Sequence, residues 1–238
     1  MPERFGRVVT PVYAPSSDGL LEPVGSAVLI RDGAGYWVFS AAHVFDRARY
    51  RELWLPGAPD FFLLTETIYR SRDGEVVDLA YTRLTQEEAD KLVAGGHAFL
   101  PARRNTIDHA DVTPGEGACM VVGYPWMRVQ PVEGNRQAFS VQAMEYRGQL
   151  ASLERIQRYG RDPSVTLMVL FDAKLWSEGE AIKRPPKEGV EGVSGGAIWG
   201  CYSDNVRLLG IVHSFVESRS LLLGTRCRVF PMIAKGDA

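Results

Sequence analysis

The sequence predicts an all-β protein of sandwich or barrel type. Three observations carry this reading. Short runs rich in β-branched and aromatic residues recur along the chain. Turn-forming residues punctuate them, with 24 glycines and 14 prolines among 238 residues. Helical patterning is confined to two short segments. Strands this short and frequent, with no regular helices between them, do not build a parallel sheet.

In chain order, residues 25–31 and 36–40 flank Asp32-Gly33-Ala34-Gly35, a hairpin turn. Residues 52–55, 61–66 and 67–70 read as short strands. Asp73-Gly74 then turns the chain into 75–84. Further strands are expected at 118–124, 138–144, 165–171, 196–201, 206–215 and 225–230. Ser203-Asp204-Asn205 joins two of these as a second hairpin. Thr85-Gln86-Glu87-Glu88 is a capping box, in which hydroxyl and carboxylate each satisfy an end amide. It opens a helix carrying Ala89, Leu92 and Val93 on one side and stopped by Gly95-Gly96. A second helix is expected over 152–159, stopped by Gly160. The polar stretch 101–117 reads as a crossing between two halves. Residues 176–191, rich in Pro, Lys, Arg and Glu, read as a long surface loop.

Composition narrows the functions. With 27 basic and 29 acidic residues the net charge is −2, which gives no electrostatic case for nucleic acid or an anionic membrane. No apolar run approaches the ~20 residues of a membrane-spanning helix. The start, Met1-Pro2-Glu3-Arg4-Phe5-Gly6-Arg7, has no secretory apolar stretch, so a cytoplasmic address is expected. Cys119, Cys201 and Cys227 match neither a zinc site nor a disulfide framework. They are expected to be buried free thiols, with a disulfide between two of them as the alternative.

Three segments each place a polar residue where a plain strand or turn has no need of one. In Ser40-Ala41-Ala42-His43, an apolar strand runs into two alanines, which let the backbone turn tightly and leave the imidazole at the strand end. In Val76-Val77-Asp78-Leu79-Ala80-Tyr81, a carboxylate sits inside an apolar β run, costly unless donors surround it. In Gly192-Val193-Ser194-Gly195-Gly196, a serine lies among three glycines and feeds an apolar strand. Glycines permit the dihedrals that aim backbone N–H groups around a hydroxyl.

Together these segments resemble the three signatures of chymotrypsin/trypsin-fold serine peptidases, and most of all the bacterial trypsin-like (HtrA and V8-type) branch. The order His, Asp, Ser is that of the chymotrypsin fold. Gly25-Ser26-Ala27-Val28-Leu29 resembles the strand before the histidine hairpin, and residues 118–125 the strand opening a second barrel. Leu208-Leu209-Gly210-Ile211-Val212 resembles the strand bordering the substrate cleft. The resemblance spans roughly residues 20–230. It implies one peptidase domain of two six-stranded antiparallel β-barrels, about 1–110 with His43 and Asp78, and 111–238 with Ser194.

The resemblance also implies a mechanism. Ser194 Oγ attacks a peptide carbonyl while His43 takes its proton. Asp78 holds the imidazole in the useful tautomer. The N–H groups of Gly192 and Ser194 form the oxyanion hole. Neither metal nor organic cofactor is required, and the partners expected are a protein or peptide substrate and a regulatory protein. Two features depart from extracellular relatives. Val193 stands where an aspartate receives a newly cut N-terminus, and no Ile-Val-Gly-Gly-like start is present. Activation by N-terminal cleavage is therefore expected to be absent. The usual disulfides are missing as well, and no further domain is expected after the peptidase part.

Plainer readings stand beside these. His43 could cap a turn, Asp78 could lie on a strand edge, and Ser194 could be a turn serine. Glu188 matches the acidic specificity residue of trypsins in its offset from the serine, though Pro185-Pro186-Lys187 before it does not match, and a solvated loop charge is the alternative. His213 comes one residue later than the acid-binding histidine of the V8-type enzymes, which turns a strand side chain to the other face, toward Asp78. A packed histidine is the alternative. Ser214 and Phe215 follow it and join Glu188 and His213 as candidate substrate-binding residues. Trp199 and Phe215 are expected in the core or the cleft wall, and His97 and His109 in solvent. The leading expectation is a serine endopeptidase. The alternatives are an inactive or partner-activated binding module of the same fold, and an esterase or acyltransferase using the same site.

Overall fold

The computed structural model describes residues 5–17, 19–47, 52–66, 68–70, 77–103, 117–126, 129–132, 135–170, 190–202 and 206–230. The expected turn at Asp73-Gly74, most of the 101–117 crossing, most of the 176–191 loop, His109 and Glu188 lie outside them.

The fold is mostly β, with two sheets in succession. The first half runs β1 (Val9–Pro15), β2 (Leu21–Asp32), β3 (Gly35–Ser40), helix α1 (Ala42–Arg47), β4 (Trp54–Leu55), β5 (Phe62–Leu63), β6 (Tyr69–Arg70), β7 (Ala80–Leu84), helix α2 (Gln86–Ala94) and β8 (Leu100–Pro101). Its strands lie in the order β5-β4-β1-β2-β3-β7-β6, with β8 parallel to β2. The second half runs β9 (Ala118–Gly123), β10 (Val129–Val132), β11 (Asn135–Val141), β12 (Met144–Leu150), helix α3 (Leu153–Arg158), β13 (Thr166–Leu170), β14 (Ala197–Cys201), β15 (Val206–Val216) and β16 (Leu221–Arg226). Six of these close an antiparallel barrel, β12-β13-β16-β15-β14-β9, and β10 and β11 form a separate hairpin.

The expected six-stranded closure thus appears in the second half, while the first half is a curled half-barrel. Its outer strands are the reason. β4, β5 and β6 are two residues each, and Pro56 and Pro59 interrupt the chain between β4 and β5. Proline has no N–H to give a ladder, so pairing there stays short.

Strand alternation divides the core into layers. On β2, Ala27 and Leu29 face the interior of the first half, while Val28 and Ile30 face the second. On β9, Cys119 and Val121 fill the closed barrel, while Met120 and Val122 face back. The middle layer, with Phe39, Trp199 and Phe230, is therefore built from both halves and fuses them. Trp199 is 1% exposed, as a core residue should be. Each fully buried side chain of this size contributes about 1.5–3 kcal/mol over an exposed one.

Both expected helices form. α2 has its capping box in place, with Glu88 N on Thr85 Oγ1 at 3.2 Å and Thr85 N on Glu88 Oε2 at 2.7 Å. The hydroxyl of Ser152 caps α3. All three cysteines are free thiols, but Cys201 is exposed, because it ends β14 where the barrel opens to solvent. Cys119 is buried, which pushes its thiol up to about 12 and leaves it inert.

Candidate active site

β3 ends at Ser40, and the chain turns at once into α1, so His43 lies in a first helical turn rather than at a strand end. The turn is tight because Ala41 and Ala42 are small and buried, and Val44 and Phe45 anchor α1 in the core of the first half. Asp78 does not sit inside a strand. It precedes β7 by two residues, and Leu79 and Ala80 beside it are buried.

The two side chains meet. His43 Nδ1 and Asp78 Oδ2 are 2.6 Å apart, and the His43 backbone N–H donates to Asp78 Oδ1 at 3.1 Å. Asp78 is the more enclosed, at 18% side-chain exposure against 37% for His43. Burial alone pushes the Asp78 carboxyl up. The hydrogen bonds and charge of His43 outweigh burial and hold it below the ordinary carboxylate value.

The Gly192–Gly196 loop is held carbonyl by carbonyl. Glu191 O accepts from Trp126 N at 2.9 Å, and Gly192 O from Ser26 Oγ at 2.8 Å. Val193 O accepts from Gly196 N at 2.8 Å, and Ser194 O from Ser26 N at 2.8 Å. In a trans peptide the N–H lies opposite the preceding carbonyl. Each fixed carbonyl therefore fixes the next N–H on the far side. Those of Val193 and Gly195 find acceptors in Val190 O and Val212 O. Those of Gly192 and Ser194 find none among the described residues. Gly195 has φ +88°, and a Cβ there would run into Ser26 O and Ser40 Oγ, so only glycine fits.

His43, Gly192, Ser194, His213, Ser214 and Phe215 line one cleft of about 360 Å³. Ser194 Oγ donates to the His213 carbonyl at 3.4 Å, and among the described residues no hydrogen bond joins Ser194 to His43. β15 and β16 slip register between Val212 and Ser214, so His213 is the extra residue of a β-bulge. Its Nδ1 meets Ser214 Oγ at 2.9 Å. Burial pushes its imidazole down to about 4, against the pull of the nearby Asp78 charge and with the repulsion of His43. His213 therefore borders the cleft within electrostatic reach of the Asp78–His43 pair, and it is neutral near pH 7. His97 is half-buried rather than fully in solvent: burial holds its pKa below the ordinary value, and its Nδ1 is enclosed without a hydrogen bond.

The sequence reading missed Ser26, Ser40 and Trp126. The two serines are fully buried, and Ser40 Oγ donates to Ser26 O at 2.7 Å. A larger hollow of about 920 Å³, around Arg31, Arg83, Arg103, Asp32 and Glu66, lies apart on the first half. It mixes both signs of charge and includes none of these side chains. No helix among the described residues is long and apolar enough to cross a membrane. No protein-family model matches this chain, and no curated protein matches it.

Proposed function

We propose that the chain is a serine endopeptidase working through an acyl-enzyme. The observation that carries this is the 2.6 Å contact between His43 Nδ1 and Asp78 Oδ2, made by a histidine that lines the same cleft as Ser194. With Nδ1–H held by the carboxylate, Nε2 is left as the base. In the proposed reaction, Ser194 Oγ forms a bond to the scissile carbonyl carbon and its proton passes to His43 Nε2. The free N–H groups of Gly192 and Ser194 receive the oxyanion. One such donor contributes about 3 kcal/mol to the transition state in comparable enzymes. The tetrahedral centre then collapses, the C–N bond breaks, and the His43 proton leaves on the amine. Water then attacks the ester carbon and gives a proton to the same nitrogen, the bond from that carbon to Ser194 Oγ breaks, and His43 returns the proton to Oγ. Val193 is 0% exposed in the apolar barrel, which supports a loop ordered without an ion pair to a cut N-terminus.

The bond from Ser194 Oγ to the His213 carbonyl favours a second reading, a site at rest until a protein partner turns the hydroxyl toward His43.

Labelling with a fluorophosphonate probe tests the proposal. Wild type is expected to label at Ser194 and Ser194→Ala not at all. No Ser194-dependent labelling by the isolated chain counts against constitutive activity and leaves the partner-dependent reading.

A further inference from the structure

Among the described residues of the first half, Ser26 is the one that hydrogen-bonds two carbonyls of the nucleophile loop. It is fully buried and contributes four hydrogen bonds at once. Its N–H donates to Ser194 O at 2.8 Å and its hydroxyl to Gly192 O at 2.8 Å. The same hydroxyl accepts from Tyr124 N at 2.9 Å, and its carbonyl accepts from Ser40 Oγ at 2.7 Å. Two of the four carbonyls that orient the loop from Glu191 to Ser194 are thus held by one residue. Of these holds, only the one on Gly192 O comes from a side chain. Close packing confines the arrangement. A Cβ on Gly25 would crowd Val44 and come to 3.0 Å from Ser194 O, and one on Gly195 would strike Ser26 O.

We propose that Ser26 is a positioning residue whose hydroxyl fixes the Gly192–Val193 peptide so that the Gly192 and Ser194 N–H groups stay free for an oxyanion. The inference rests on the role proposed above for those two N–H groups. Without the hydroxyl, Gly192 O loses its donor and Tyr124 N–H its acceptor, so the side-chain hold on that peptide is gone. Rotation of that peptide carries Val193 N–H off Val190 O and disturbs the neighbouring donors on either side. Ser26 N–H still holds Ser194 O, so the nucleophile keeps its anchor while the peptide between the two donors loses its side-chain hold. The side chain itself never touches substrate.

The experiment measures inactivation kinetics with the fluorophosphonate probe, separating the bond-forming rate constant from the reversible binding constant. Ser26→Ala is expected to lower the rate constant about 100-fold, the scale of one lost oxyanion donor, with the binding constant unchanged within about 2-fold. Ser40→Ala is the control, because it removes a buried hydroxyl bond from the same cluster without touching Gly192 O. It is expected to lower the melting temperature comparably and the rate constant by less than about 3-fold. If Ser26→Ala does not fold, Ser26→Cys fills the same space with a weak donor and carries the specific loss. A wild-type rate constant in the folded Ser26 variant overturns the inference. So does an equal loss in Ser40→Ala, which would make the effect one of general stability. An isolated wild-type chain that never labels at Ser194 counts against constitutive activity instead and leaves the partner-dependent reading, and this inference, which needs the two N–H groups ready in the isolated chain, falls.

Discussion

Asp78 is where the proposed chemistry depends most on a single atom type. Both its oxygens are engaged by His43, one by the ring and one by the backbone N–H. An amide in place of the carboxylate keeps the shape but can present an N–H to Nδ1, which favours the tautomer with its proton on Nε2. That tautomer cannot take the Ser194 proton. Asp78→Asn is therefore expected to fold normally and to label roughly 10⁴-fold more slowly. Near-normal labelling by a folded variant would break the proposed link between Asp78 and Ser194. His43, Asp78 and Ser194 were legible in the sequence because each is polar in a run that is otherwise apolar or glycine-rich. Ser26 was not. It too lies in a strand beside an apolar run, but what marks it is a partner 166 residues away, and no local pattern records that distance. His213 was half legible. Its one-residue displacement argued for a turn toward Asp78, but a bulge rather than plain alternation places it, at the edge of the cleft.

Elements were legible where their end signals are chemical and illegible where they are only packing. α2 was foreseen from Thr85 and Glu88, and both halves of the reciprocal cap are present. Thr85→Ala removes the acceptor for Glu88 N and the hydroxyl's bond to Glu88 Oε2 while leaving the helix otherwise intact. The expected cost is about 1 kcal/mol. A urea midpoint unchanged from wild type would mean that packing of Ala89 and Leu92 alone holds α2. β1 carries no such signal. Pro11 and Pro15 argue against a strand, yet the segment pairs with β2 along its length, with a register slip between Val12 and Tyr13. β12 had a readable signal in the alternation of Met144, Tyr146, Gly148 and Leu150, all turned to the barrel interior side. α1 is only six residues long, too short for a periodic pattern, and it forms because Val44 and Phe45 are captured by the core. The imidazole therefore sits on a helical turn and not at the strand end the sequence suggested.

At the scale of the molecule, the shared middle layer and the Ser26 bonds make the two halves one packed body, so charging a buried group in either is felt by both. His97 and His213 are the groups to watch. Burial lowers both imidazoles, His213 to about 4 and His97 by burial and the charge of Arg7, opposed by the carbonyls of Arg7 and Val9. In the unfolded chain a histidine binds its proton near pH 6.5. Between that value and the folded one, the unfolded state holds more protons, so stability rises with pH. The contribution is complete above about pH 6.5 and declines as the pH falls toward 4. Asp78 acts lower. Its folded value is below the ordinary 3.8, so its contribution is present above that value and is lost only as the pH falls further. Loss of stability between pH 6.5 and 4 is therefore expected to come from His97 and His213 and not from protonation of Asp78. His97→Gln keeps a neutral side chain at every pH in that window. Its urea midpoint is expected to fall less steeply than that of wild type between pH 7 and 5. Parallel slopes in the two proteins would show that His97 takes up its proton without cost in the folded state, and that the enclosed Nδ1 is reached by water.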